Sequence, residues 1–180
     1  MGCLFIIMGI SILFIYNNQN QTYTMDEIER DIMDRIYQSA NGKNNVKNVE
    51  IEVKKEVSEY FIYVYSYEYK DKGESNNFVI YEKKGDKYQI HSDSILSFQF
   101  NDRPHNKGLQ YIVLDGYVII VGIVNNESAD TYEIVSGRTT ITDTYERNKY
   151  FIQEYILGNP NEMSITAKWR WFRNNNSNVE

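Results

Sequence analysis

A change of hydrophobic period at Val46 is the feature that most constrains how this chain can fold. After it, apolar residues stop recurring every three or four positions and begin to alternate with polar ones. The first such run places four apolar side chains at positions predicted to share one face: Val49, Ile51, Val53 and Val57. A period of two is typical of a strand with one buried and one wet face. The chain after Val46 is therefore predicted to be mostly β.

The segment before Val46 has the pattern of one amphipathic helix. Thr24 and Glu27 have the spacing of a capping box, and Gly42 supplies a left-handed stop. Apolar residues recur between them on one helical face: Met25, Ile28, Ile32, Ile36 and Ala40. The charged residues in between, Asp31 and Arg35 among them, are interpreted as a solvated face. We predict a helix over Met25–Ala40.

Turn signals divide the β-rich part into short strands. Asp115-Gly116 lies between two β-prone runs, which is a strong hairpin signal. The run that follows, from Tyr117 to Val124, is apolar on both strand faces. This pattern is typical of a central strand that is covered on both sides. The polar stretch from Asn101 to Gly108 indicates a domain boundary or a long loop.

These patterns predict an α+β fold. An N-terminal amphipathic helix packs on antiparallel strands, and a β-sandwich-like C-terminal half follows, immunoglobulin-like in its strand pattern alone. The predicted ranges are 22–104 for the helix and antiparallel meander, 105–174 for the small sandwich and 175–180 for a flexible tail. A single α+β domain with one continuous sheet is the alternative.

Residues 1–16 contain no charged side chain. They are predicted to be an uncleaved signal anchor with a transmembrane helix, or a signal peptide that is cleaved to release the domain. A buried strand or helix of the fold is the third interpretation. The first charges after this segment are acidic, which favours a membrane-bound protein with its domain outside the cytoplasm. Abundant residues with AT-rich codons favour a bacterial source.

Composition excludes several function classes. The 180 residues carry a net charge of −6, which argues against a nucleic-acid partner. The single cysteine, Cys3, excludes an intramolecular disulfide framework and a thiolate zinc cluster. Neither a phosphate-binding glycine loop, nor a zinc-protease helix, nor a serine nucleophile elbow occurs in the sequence. No cofactor, metal site or catalytic residue is predicted, and the protein is not expected to be an enzyme.

Aromatic residues are the strongest remaining bias, with Tyr 16, Phe 8 and Trp 2. Four tyrosines share one face of a predicted strand, and two tryptophans share one face near the C-terminus: Tyr63, Tyr65, Tyr67, Tyr69, Trp169 and Trp171. Because tyrosine and tryptophan combine broad apolar area with a polar tip, these six are predicted partner-binding residues for a protein or a glycan. The alternatives are a sheet face that lies under the helix and a C-terminal strand that closes a sandwich.

The two histidines give weak signals. His91 and Asp93 lie two apart and would share one face of a strand, but a metal site needs a further ligand. His105 lies in a polar stretch with Asp102 and Arg103 that has the chemistry of an anion site, although a solvated connector explains it equally.

Three functional hypotheses follow. The first is a non-catalytic, extracytoplasmic binding or interaction protein, tethered to the membrane through residues 1–16. The second is an envelope-polymer (glycan) hydrolase that uses a carboxylate pair and therefore needs a carboxyl group with a raised pKa in a cleft. The third is a cytosolic β-rich protein whose first sixteen residues belong to the core. The sequence favours the first.

Overall fold

The computed structural model describes residues 21–70, 72–100, 103–104, 109–123, 131–136, 138–144, 146, 149–156 and 163–168. Within these ranges a two-residue strand precedes one α-helix, and the remaining strands follow it. In order, the elements are β1 (Thr22–Tyr23), α1 (Met25–Ser39), a 3₁₀ turn (Lys43–Asn45), β2 (Val46–Val57), β3 (Tyr60–Tyr69), β4 (Gly73–Lys84), β5 (Lys87–Phe100), β6 (Arg103–Pro104), β7 (Leu109–Leu114), β8 (Tyr117–Ile123), β9 (Thr131–Ser136), β10 (Thr139–Thr144), β11 (Tyr150–Ile156) and β12 (Met163–Lys168).

The strands form three sheets. The largest has the order β1-β5-β4-β3-β2, with β6 paired to β5. Two three-stranded sheets have the orders β10-β9-β12 and β11-β8-β7. The pairs β1–β5, β2–β3, β7–β8, β8–β11, β9–β10 and β9–β12 are antiparallel. The predicted α+β class, mostly antiparallel β with one helix, is confirmed at this level.

The chain divides into two compact units. One comprises Met1–Asp71 and Asn77–Ser94, and the other comprises Lys72–Asn76 and Ile95–Glu180. Strands β4 and β5 contribute residues to both. The predicted domain ranges 22–104 and 105–174 stay predictions, and the predicted tail 175–180 lies outside the described residues.

Helix α1 begins where its sequence signals predict and ends one residue earlier than predicted. The Glu27 carboxylate accepts hydrogen bonds from the backbone N–H of Thr24 at 2.9 Å and from its hydroxyl at 3.0 Å. Asn41, with φ 56, is the left-handed residue that ends the helix, one position before the predicted Gly42. Gly42, with φ 126, donates its N–H to the carbonyl of Tyr37 at 2.8 Å. The buried face of the helix packs into a core with side chains of the large sheet: Ile28, Ile32, Ile36, Ala40, Tyr23, Val46, Tyr63, Tyr65, Val79, Tyr81 and Tyr88.

Strand β2 departs from the simple alternation that its sequence predicts. The register shifts between Lys47 and Glu50, where Asn48 has φ 49, and again between Ile51 and Val53. Because directly paired residues share a face of an antiparallel sheet, Ile51 lies on the face of its partner Tyr65, and Val53 lies on the opposite face with Val64. The same holds for Val57, which pairs with Tyr60, so the prediction that Val49, Ile51, Val53 and Val57 share one face is wrong at Val53 and Val57.

The predicted hairpin of the C-terminal half is confirmed. Strands β7 and β8 pair across Asp115 (φ 43) and Gly116 (φ 86). Positive φ at both central residues is the requirement of a tight turn whose twist matches that of the strands. Val118, Ile119, Ile120 and Val121 of β8 are fully buried, as the two-sided apolar pattern predicts for a central strand.

The transmembrane-helix prediction is corrected. In the part of the chain that the structure describes, no helix is both long enough and apolar enough to cross a membrane. A helix of 15 residues such as α1 is also shorter than a span requires, and it carries charged residues along one face. Residues 1–16, to which the prediction referred, lie outside the described residues. The position of the domain outside the cytoplasm stays a prediction.

Candidate functional site

Two of the predicted partner-binding residues lie in the protein core. Tyr63 is 2% exposed and Tyr65 is 9% exposed, and both belong to the cluster beneath α1. The Tyr63 hydroxyl donates to the sulfur of Met25 at 3.7 Å. These side chains stabilise the contact between helix and sheet, which leaves them little area for a partner.

The other four predicted residues fall into two groups. Tyr67 and Tyr69 are half-buried at the margin of the same core. Trp169 and Trp171 lie outside the described residues. For all six residues, the partner-binding role stays a prediction.

A cleft in the first unit brings together charged side chains from three elements. It is a half-open cavity of about 480 Å³, lined by Arg35 of α1, Glu82 and Lys84 of β4, and residues 89–93 of β5. We call it the Arg35 cleft. A volume of this size lies within the range of small-molecule sites in proteins.

Arg35 is hydrogen-bonded to the largely buried carboxylate of Asp31. The Oδ2 atom of Asp31 accepts a hydrogen bond from Nε of Arg35 at 2.7 Å and another from the Tyr81 hydroxyl at 2.6 Å. Asp31 lies one helical turn before Arg35, so both side chains rise from the same face of α1. The Tyr81 side chain is fully buried, and that of Asp31 is only 10% exposed. This support fixes the guanidinium at the wall of the cleft.

The protonation of this group follows from its surroundings. Burial by itself lowers the pKa of Arg35, but the hydrogen bond and the charge of Asp31 outweigh it, so the pKa lies above its ordinary value. Burial raises the pKa of Tyr81, and its hydrogen bond to Asp31 raises it further. Arg35 is therefore a fixed cation, and Tyr81 remains a hydrogen-bond donor throughout the physiological range.

Tyr23 lies beside the same group. Its ring meets that of Tyr81 edge to face, with centroids 5.9 Å apart. Burial raises the pKa of Tyr23, and the nearby Asp31 adds to the shift. Among the described residues its hydroxyl is the buried side-chain polar atom that has no hydrogen-bond partner. Tyr23 is not among the residues that line the Arg35 cleft.

Glu82 is already engaged by two neighbours. Lys84 donates a short hydrogen bond to its Oε1 atom, and Nδ1 of His91 lies 3.5 Å from its Oε2 atom. The hydrogen bond from Lys84 is the main cause that lowers the pKa of Glu82. The His91 ring packs edge to face against the ring of Tyr60, with the ring centroids 5.3 Å apart. Glu82 is thus an ionised and partnered group at the wall of the cleft.

Asp93 is the least engaged charge of the cleft. Its side chain is 59% exposed, and its Oδ2 atom lies 3.9 Å from a terminal guanidinium nitrogen of Arg35. This separation is longer than a hydrogen bond, although the two charges still attract each other. Arg35 and Asp93 therefore place opposite charges next to each other in the cleft without forming a hydrogen bond between them.

Of the residues with weak metal or anion signals, His91, Asp93 and Arg103 lie among the described residues. His91 and Asp93 both line the Arg35 cleft, but His91 lies beside Glu82 and Tyr60, whereas Asp93 lies near Arg35. That the two share one strand face stays a prediction. Within the described ranges, no three ligand-type side chains come together in a geometry that could hold a metal ion. His105 lies outside the described residues.

Sequence reasoning missed the central residue of this site. It interpreted Asp31 and Arg35 as part of a solvated helix face, whereas both side chains are largely covered. The available signal was their spacing of four residues, which is typical of a helical ion pair. That spacing does not reveal a buried tyrosine from β4, because Tyr81 is 50 residues away in sequence.

Comparison with known proteins gives no further guide: no family model, no curated protein and no solved structure matches this chain.

Proposed function

We propose that this chain is a non-catalytic binding protein that holds a small charged ligand in the Arg35 cleft. The observation that carries the proposal is the hydrogen bond from Arg35 to the buried Asp31, which Tyr81 also supports. A guanidinium that is held before the ligand arrives loses little side-chain entropy on binding. Arginine also presents several N–H donors in a fixed plane, which suits a carboxylate or another planar anion.

The charges of the cleft favour binding over hydrolysis. Glycoside hydrolysis needs one carboxyl group that stays protonated near neutral pH. The pKa of Glu82 is shifted downward by Lys84, which is the wrong direction for a general acid. Among the described residues, Glu27 is the other carboxyl group with a shifted pKa, and its hydrogen bonds to Thr24 also lower it. The carboxylate-pair hydrolase is therefore the less supported alternative.

We also propose that the two three-stranded sheets form the predicted sandwich. The hydroxyl of Tyr155 on β11 donates to Asp143 on β10 at 2.5 Å, and this contact joins one sheet to the other. Ile134 of β9 and Ile152 of β11 are buried, which supports a shared interior. The immunoglobulin-like version of this sandwich rests on strand pattern alone.

The test of the binding proposal is a titration of the full chain followed by ¹H–¹⁵N spectra. The probes are acetate, ethylamine, L-alanine, phosphate and, as a neutral compound, glucose, all at constant ionic strength. We expect at least one charged probe to move the backbone amides of residues 89–93, because they line the cleft. We expect glucose to leave them unmoved.

The matched variants are Arg35→Lys and Arg30→Lys. Both lie on α1, but Arg30 is exposed and does not line the cleft. Arg35→Lys should raise the dissociation constant of the charged probe on the order of ten-fold, because lysine lacks the planar set of N–H donors of a guanidinium group. Arg30→Lys should bind as the unaltered chain does. Amides 89–93 that respond to no charged probe, or that respond equally in Arg35→Lys, would overturn the proposal.

A further inference from the structure

We propose that the ligand of the Arg35 cleft is a zwitterion of the α-amino acid type, with its carboxylate on Arg35 and its ammonium group on Asp93. This inference rests on the proposed binding function and specifies its ligand. It is carried by the arrangement of the charges around the cleft.

The spacing of Arg35 and Asp93 matches two opposite charges on one carbon atom. Their nearest charged atoms are 3.9 Å apart, and both side chains line the same cleft. An α-amino acid carries its carboxylate and its ammonium group one carbon apart, so both can meet this pair at once. Two charge-assisted hydrogen bonds to the ligand then replace the one long contact between Arg35 and Asp93.

The other charges of the cleft are already matched. Glu82 accepts from Lys84 and has His91 beside it, so it offers little to a ligand cation. Asp31 is occupied by Arg35 and Tyr81. Asp93 is therefore the carboxylate that is left to meet an ammonium group.

The charge balance of the site disfavours a simple anion. Arg35 and Lys84 are the cations of the cleft and its support, while Asp31, Glu82 and Asp93 are the anions. A ligand with only negative charge would gain from Arg35 but would be repelled by Asp93. A zwitterion avoids this repulsion because its cation faces the acidic side.

The test is a titration of the full chain with three compounds of similar size. L-alanine carries both charges, acetate carries only the carboxylate, and ethylamine carries only the cation. We expect L-alanine to move the amides of residues 89–93 with a dissociation constant on the order of ten-fold lower than that of acetate or ethylamine, since each lost partner removes one hydrogen bond between charged groups. γ-Aminobutyrate, whose charges are farther apart, should bind less tightly than L-alanine.

Asp93→Asn and Asp86→Asn are the matched variants. Asp86 lies in the exposed turn between β4 and β5 and does not line the cleft. Asp93→Asn should remove most of the advantage of L-alanine over acetate, and Asp86→Asn should retain it. The inference fails if acetate or ethylamine binds at residues 89–93 as tightly as L-alanine, or if Asp93→Asn binds L-alanine unchanged. In either case the proposal that the Arg35 cleft binds a charged ligand is retained, because a charged probe still binds there. If no charged probe binds at residues 89–93, both proposals are wrong.

Discussion

At the scale of single residues, Asp31 is the side chain on which the site depends. It is a carboxylate that is almost entirely covered, and such a group is costly unless it is hydrogen-bonded. Arg35 and Tyr81 supply the hydrogen bonds, one from the helix and one from the sheet. The same contacts stabilise the fold and orient the guanidinium.

Removing the Tyr81 hydroxyl should therefore lower stability. Tyr81→Phe deletes the donor at 2.6 Å and leaves Asp31 with one fewer partner in a covered position. We expect the free energy of unfolding to fall by about 1.5–3 kcal/mol, the usual range for a hydrogen bond to a charged group. Urea denaturation at pH 7 measures this change.

Tyr67→Phe is the control for this experiment. Tyr67 is half-buried at the edge of the core, and it has no part in the Asp31 group. We expect its effect to stay within about 0.5 kcal/mol. If Tyr81→Phe and Tyr67→Phe change stability equally, Asp31 does not depend on the Tyr81 hydroxyl.

The residue scale is also where prediction from sequence failed. The helical stripe correctly predicts that Ile28, Ile32 and Ile36 are buried, because that depends on local period alone. The covering of Asp31 and Arg35 depends on which strand the helix packs against. Tyr81 of β4 could be assigned to them only once the order of the strands was known.

At the scale of elements, the sequence predicts types better than faces. Helix α1 and the β7–β8 hairpin follow from capping and turn residues, which act within a few positions. Strand β2 shows the limit. Its two register shifts place Lys54 opposite Tyr63, where its ammonium group meets Glu29 of α1 at 3.1 Å.

A bulge of this kind has little sequence signal. Asn48 at φ 49 is a residue type that tolerates the left-handed region, but asparagine is common in turns and loops as well. One inserted residue moves every later side chain to the other face. Strand β3 has no inserted residue, and its tyrosines Tyr63, Tyr65, Tyr67 and Tyr69 share one face, as predicted. The pattern of the strand alone does not show that this face lies beneath α1.

At the scale of the whole molecule, the abundance of buried tyrosine predicts sensitivity to alkali. Burial raises the pKa of four tyrosines in the first unit: Tyr23, Tyr63, Tyr65 and Tyr81. An unfolded tyrosine ionises near pH 10, whereas in the native state these four keep their protons to higher pH. Above about pH 9 the unfolded state therefore binds fewer protons than the native state, and stability falls as pH rises.

Tyr65→Phe tests this expectation. It removes one shifted hydroxyl, so the loss of stability between pH 9 and 11 should become shallower, by up to about 1.4 kcal/mol per pH unit. Denaturation curves across this range measure the slope. Val79→Ala, a buried change without an ionisable group, should lower stability at every pH and leave the slope as it is. A slope unchanged in Tyr65→Phe would contradict the assignment.

The most direct test of the binding site is the Nε–H resonance of Arg35 in ¹H–¹⁵N spectra of the full chain, assigned by its loss in Arg35→Lys. The hydrogen bond to Asp31 predicts that this proton exchanges with water more slowly than that of the exposed Arg30. We also predict that adding L-alanine shifts this resonance, because the same guanidinium then binds a carboxylate. A resonance that exchanges as fast as that of Arg30 and does not move with L-alanine would contradict the account.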